Sequence, residues 1–349
     1  MKNNIFKNKK ILITGASGSV GISLIKELME NYNFNVIRAM SNDEHGLFLL
    51  KSIIKKNYSS FDELSRNQRI RLMHGDIRNK ERCIEVSKDI DIVIHAAAMK
   101  HVDICEYNPQ EAIATNVSGT ENIVNAAIKN SVQKFVLVST DKAVSPNTIM
   151  GTSKLMAEKI VINANYSSSK TKQSFHVIRF GNVIGSRGSV LEVFNNQIKK
   201  NLNLTITHNK MTRFFMNLED AAKKIIKSFK LSRGGEIFAI RSMNSFRIQD
   251  LAETLIKYHK KKNKNKSKIS YIGTKKNEKL YEELLTLEEY RNAIQTKDFF
   301  ISNDSLKNNS NQKFYKGTKI YNFSMLSSKT VKLLNQSQIL DYLYKQNLL

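Results

Sequence analysis

The chain has 349 residues, enough for a sizeable core and one or two domains. It carries 56 Lys and Arg against 31 Asp and Glu, a net charge of +25, but the basic residues are scattered and no nucleic-acid motif accompanies them. No apolar run approaches the roughly 20 residues that cross a bilayer, so a soluble protein without nucleic-acid or membrane partners is expected.

In chain order, the polar start runs through Ile11-Leu12-Ile13 straight into a glycine motif, which reads as a first strand and not a signal peptide. Short β-rich runs follow at 10–14, 35–40, 70–75, 92–97, 134–140 and 175–180. Helical patterns lie between them, as at 22–30 and 120–129. This alternation predicts an α/β fold, a Rossmann-type doubly wound parallel sheet. Beyond residue 185 the pattern shortens: helix at 191–200, strand at 204–207, helix at 218–230. A strand at 236–240 and a helix at 248–258 are expected to rejoin the sheet. Segments 269–272 and 278–285 read as irregular, the lysine run 260–266 as an exposed loop, and 302–330 as poorly patterned tail. The resulting organisation is a Rossmann domain at 1–185 plus about 234–262. A smaller, discontinuous C-terminal substrate domain with the tail takes 186–233 and 263–349. Two cysteines, Cys83 and Cys105, suit a reduced, cytoplasmic setting and provide neither a disulfide framework nor a metal site.

Thr14-Gly15-Ala16-Ser17-Gly18-Ser19-Val20-Gly21 follows a strand and opens a helix. Gly15 permits the tight turn, Gly18 a close approach to a pyrophosphate, and Gly21 close packing of the helix. The helix N-terminus then faces the phosphates. The spacing resembles that of the short-chain dehydrogenase/reductase superfamily, as do Gly75-Asp76-Ile77-Arg78 and His95-Ala96-Ala97-Ala98. The resemblance places Asp76 and Ile77 at the adenine and Ala96 and Ala97 beneath the cofactor. After the second strand, Ser41-Asn42 carries neither the acidic residue that binds a ribose hydroxyl nor an arginine. Ser41 leaves room for a phosphate, so NADP is the expected cofactor and NAD the alternative.

Ser139-Thr140-Asp141-Lys142-Ala143 ends the fifth strand, and Met150-Gly151-Thr152-Ser153-Lys154 follows. With 95–102, 106–109, Thr115-Asn116, 179–183, 186–190, 211–214 and 278–285, these segments closely resemble the UDP-N-acetylglucosamine 4,6-dehydratases over residues 8 to 300. The resemblance implies oxidation of the sugar at C4, loss of the C5 proton and C6 hydroxyl as water, and reduction at C6. It makes Asp141 the acid at C6 and Lys142 the base at C5, the lysine with a lowered pKa. Thr140 stands at the strand end, and Lys154 holds the nicotinamide ribose. Met150 replaces the usual tyrosine and cannot take a proton. The C4-hydroxyl proton then goes to Lys142, to Asp141, or through Thr140 and water. Arg187 and Arg213 are candidates for the UDP pyrophosphate, Asn182 for the sugar or phosphate, and Glu278 for the nucleotide. Lys100 and His101 stand on the nicotinamide side. Asn277 replaces a glycine of relatives and puts its turn in question. Many methionine-bearing retaining relatives carry an N-terminal membrane region, which favours inversion at C5 for this chain. The alternatives are a retaining dehydratase, a UDP-sugar C4-epimerase, and a non-catalytic NAD(P)-binding regulator. Relatives imply a homo-oligomer.

Overall fold

The computed structural model describes residues 5–57, 69–167, 173–263, 266–303, 314–320 and 327–349. Strands β1 (Lys10–Thr14), β2 (Val36–Ser41), β3 (Ile70–His74), β4 (Ile92–His95), β5 (Lys134–Thr140) and β6 (Ser174–Phe180) pair in parallel. Their order, 3-2-1-4-5-6, is that of a doubly wound dinucleotide-binding fold. Side-chain alternation along β1 shows why the runs are so apolar. Ile11 and Ile13 enter one core while Leu12 enters the other. Both sheet faces are covered, so the central positions Ile11, Leu12 and Ile13 are all apolar.

Helices Ser19–Asn31 and Leu218–Leu231 cover the Ile11 face through Leu24, Ile25, Leu28, Ile225, Ile226 and Phe229. Helices Gly119–Lys129 and Ile149–Ser167 cover the other through Ile123, Val124, Ala157 and Val161. A third core holds the smaller part. It contains Phe194 from helix Val190–Lys199, Leu251 and Leu255 from helix Ile248–Asn263, and Ile339 and Leu343 from helix Gln336–Lys345.

Two helices pack differently from the sequence expectation. Helix Leu218–Leu231 lies on the large sheet, and helix Ile248–Asn263 packs in the smaller part. The strands β7 (Asn182–Val183), β8 (Leu204–Ile206) and β9 (Thr212–Met216) precede β10 (Ile237–Ile240), which rejoins the sheet beside β6 as expected. After β11 (Asn244–Arg247) and β12 (Ile269–Tyr271), strands β13 (Ala293–Gln295) and β14 (Phe299–Ser302) extend the sheet in antiparallel fashion. Phe299 and Ile301 enter one core and Phe300 the other, so this short hairpin is buried on both faces. Within the tail, β15 (Thr318–Lys319) pairs with β13, and Ser327 and Ser328 are buried; 304–313 and 321–326 lie outside the described residues. Of the lysine run, 260–263 is helical because its helix continues past Tyr258; Lys264 and Asn265 lie outside the described residues.

Among the described residues, no helix is long and apolar enough to cross a membrane. Both cysteines are free and buried, and burial pushes the Cys83 thiol up to about 12.

Candidate active site

A cleft of about 1020 Å³ opens over the carboxyl ends of β1, β2, β4 and β5. Gly15, Ser17, Gly18, Val20, Gly21, Ser41, Asn42, Asp76, Ile77, Ala96 and Ala97 all line it. Gly15 has φ +65°, and a Cβ there would stand 2.7 Å from the Ala97 nitrogen. At Gly21 a Cβ would lie 2.5 Å from the Gly15 carbonyl oxygen, so the first helical turn rests on the loop backbone. Gly18 is the helix N-cap and offers no side-chain acceptor, which leaves the first N–H groups free of side-chain caps. Backbone leaves no room for a side chain at Gly15 and Gly21, and the chemistry of the cradle suits a dinucleotide pyrophosphate.

Where β2 ends at the cleft, Ser41 Oγ and Ser17 Oγ are 2.8 Å apart. The Asn42 amide is 3.5 Å from Asp76. Arg78, not singled out from sequence, also lines the cleft and holds Asp76 Oδ2 through Nε at 2.9 Å and Nη2 at 2.7 Å. Its Nη1 donates to Glu111 at 2.7 Å. Burial opposes the Asp76 charge, but the Arg78 bonds outweigh it and hold the carboxyl below its ordinary value.

Thr140 ends β5 and caps the helical turn Asp141–Ala143, its hydroxyl accepting from the Lys142 amide at 3.3 Å. The same hydroxyl donates 3.0 Å to Asp141 Oδ1. Asp141 is fully buried, and its Oδ2 accepts no hydrogen bond from the described residues. Lys142 Nζ donates 3.0 Å to Asp141 Oδ1 and 3.0 Å to Asn182 Oδ1. It lies 3.6 Å from Glu282 Oε1. Burial alone would favour the neutral amine, but Asp141 and Glu282 outweigh it and raise the Lys142 pKa. The expected lowering is therefore corrected: besides Asp141, a second carboxylate, missed in the sequence, faces the amine.

Met150 is 3% exposed, borders the cleft and packs with Cys105 and Ala112. A Cβ on Gly151 would lie 2.4 Å from the Lys142 carbonyl oxygen, so glycine lets the helix start directly beneath the Asp141–Lys142 turn. One turn on, Lys154 Nζ donates 2.9 Å to the Val138 carbonyl. Burial pushes this ammonium down to about 8. Asn116 sits in a π-helical turn, Ile113–Ser118, a form common at functional sites. It bonds Met99 through N–H and C=O and donates 2.9 Å to Ser153, tying the β4 loop to the Lys154 helix.

Of the residues expected to hold substrate, Lys100, Asn182 and Arg187 border the cleft. Lys100 Nζ donates 2.6 Å to the Arg187 carbonyl, and Arg187 Nη2 donates 2.6 Å to the Ser17 carbonyl. The loop bearing Arg187 thus lies against the glycine loop. His101 packs on Gly188, where a Cβ would be 2.5 Å from its ring. Arg213 and Glu278 lie outside the cleft lining. Arg213 donates 2.8 Å to the carbonyls of Thr212 and Lys279, 3.7 Å from Glu282 and 3.9 Å from Glu278. Asn277 adopts φ +62°, so the turn forms without glycine, as asparagine tolerates this region.

The sheet order, the glycine cradle and the Thr140–Lys154 arrangement define a Rossmann-type protein of the short-chain dehydrogenase/reductase class. A family model described as polysaccharide biosynthesis protein matches residues 11–304, and the chain belongs to that family. A Methanocaldococcus jannaschii protein, named an uncharacterized membrane protein, is 42% identical over 97% of this chain and 96% of its own. The inverting UDP-N-acetylglucosamine 4,6-dehydratase of Campylobacter jejuni is 38% identical over 87% of this chain and 85% of its own. A Rickettsia bellii protein named UDP-glucose 4-epimerase is 37% identical over 97% and 96%. The solved structure of Pen from Bacillus thuringiensis is 37% identical, with a TM-score of 0.88 and 99% of each chain covered.

Proposed function

We propose that the chain is a UDP-N-acetylglucosamine 4,6-dehydratase that uses NADP and inverts C5, serving glycan synthesis in the cytoplasm. The observation that carries this reading is the Asp141–Lys142 pair, bonded at 3.0 Å where β5 meets the cleft. Gly15, Gly18, Asp76 and Lys154 would hold the cofactor. Bound there, the cofactor would supply the hydride acceptor for sugar C4 and the hydride donor for C6.

The chain supplies the proton transfers. Met150 takes no proton, but the Thr140 hydroxyl already donates 3.0 Å to Asp141. In this reading the C4-hydroxyl proton passes through Thr140 to the Asp141 carboxylate. Lys142, its ammonium proton first given up to solvent, then removes the C5 proton, and Asp141 gives its proton to the C6 oxygen as the C6–O bond breaks and water leaves. In the inverting course a solvent water protonates C5 from the opposite face, and the proton that Lys142 took returns to solvent and neutralises the hydroxide left. Inversion is supported by the Campylobacter relative. The exposed Ile104, Tyr107 and Met156, on two helices that pack together, support a homo-oligomer.

The purified protein with NADP and UDP-N-acetylglucosamine should yield a sugar nucleotide lighter by one water, its C5 configuration read from ring couplings by NMR. Unchanged substrate mass sinks the dehydratase. The Rickettsia relative favours the second reading, a C4-epimerase, and a galacto-configured product of unchanged mass would establish it.

Arg78 supports NADP, because its guanidinium lines the cleft, shares the Asp76 carboxylate with the Asn42 amide, and can pair with a 2′-phosphate there. Arg78→Ala should raise KM for NADP by about tenfold, the loss of one charge-assisted bond, and change KM for NAD less. Equal changes for both cofactors would assign Arg78 to Asp76 alone.

A further inference from the structure

Glu282 belongs to no step described so far, yet its carboxyl is 3% exposed and faces the pair. We infer that Glu282 is a positioning residue, a buried counter-ion that holds the Lys142 ammonium beside Asp141 and fixes how firmly that amine keeps its proton. The inference rests on the reading of Lys142 as the C5 base.

Its Oε1 lies 3.6 Å from Lys142 Nζ and 3.7 Å from Arg213 Nε, while Oε2 accepts no hydrogen bond from the described residues. A carboxylate buried with so few bonds needs opposite charge nearby. The surroundings supply a balanced set. Lys142 and Arg213 carry positive charge, and Asp141 and Glu282 carry negative charge. Glu278 lies 3.9 Å from Arg213 on the outer side. Lys279 also acts on Glu282, and its Nζ donates 2.7 Å to the Val144 carbonyl. Asn182 is the neutral fourth wall around the amine.

The carboxyl does not anchor its own segment. The Glu282 amide donates 3.0 Å to Ser328 Oγ, and its carbonyl accepts from the Ser328 amide at 2.8 Å. Arg213 is likewise held by two backbone carbonyls. What remains for the side chain is its charge on Lys142. Burial raises the Glu282 pKa while Lys142 and Arg213 pull it back down, and the Asp141 and Glu282 carboxylates raise that of Lys142 against its own burial. Removing a negative charge favours loss of the ammonium proton, so the neutral base forms at lower pH.

The test uses the full-length protein and trace labelling with acetic anhydride, which acylates neutral amines; Lys142 is 26% exposed. Labelling of Lys142 is followed by mass spectrometry across pH in wild type, Glu282→Gln and Glu282→Asp. In Glu282→Gln the midpoint should fall by about 1 pH unit or more, with the rising limb of kcat/KM moving the same way. Glu282→Asp should lie closer to wild type. If circular dichroism shows the glutamine variant unfolded, the aspartate variant decides, since its shorter reach should still lower the midpoint. Unmoved labelling in the folded variants overturns the inference. If labelling moves but wild type forms no product from UDP-N-acetylglucosamine, the charge coupling stands and the dehydratase reading fails.

Discussion

A Lys142→Met enzyme should lose product formation by about 10²–10⁴-fold, the usual effect of a general base. It should still oxidise C4, because the proposed Thr140–Asp141 route for that proton is intact. Mixing it with substrate and NADP should therefore produce the near-ultraviolet absorbance of a reduced nicotinamide, without water loss and without C5–H exchange in deuterated solvent. Exchange at the wild-type rate would remove Lys142 from the chemistry. The variant leaves Asp141 and Glu282 facing Arg213 without the second cation. A stability loss of about 1–3 kcal/mol, the penalty for stranding a buried partner, should accompany the change and is read from thermal melts.

Asp141→Asn separates the acid from the base. The amide keeps the shape and the Oδ1 acceptor for Thr140 and Lys142 but cannot carry a proton to C6 or take one from C4. Turnover should again fall by about 10²–10⁴-fold. Here neither the reduced-nicotinamide signal nor C5 exchange should appear, because the first proton has no acceptor. If Asp141→Asn accumulates reduced cofactor as Lys142→Met does, the Thr140–Asp141 relay is wrong and another group serves the C4 hydroxyl.

Much of the fold was legible in local pattern. Strands buried on both faces have to be apolar throughout, and a glycine at φ +65° leaves its mark at Gly15. Asp141 and Lys142 were visible because neighbours in sequence stay neighbours at a strand end. Glu282 was not, since it reaches Lys142 across 140 positions from a segment without regular structure. Asp141 first, and Glu282 with it, raise the Lys142 pKa against the expected direction, and only the Asp141 share is local in sequence. Amphipathic helices posed a related difficulty. Leu218–Leu231 and Ile248–Asn263 each show an apolar face, but the face does not say which core receives it. The β13–β14 hairpin was lost for a simpler reason: three and four residues are too few to show a period.

The Ser328 bonds to the Glu282 backbone bear on the order in which the molecule is made. Every residue lining the cleft has been translated by residue 215, so a nascent chain emerging from the ribosome holds the dinucleotide half early. At that stage Lys142 faces Asp141 alone, and Arg213 has neither of its carboxylates, Glu278 and Glu282. The second carboxylate arrives at residue 282, and its backbone is pinned only when residue 328 follows. A stalled or truncated product therefore carries the cofactor cradle but an unbalanced charge cluster.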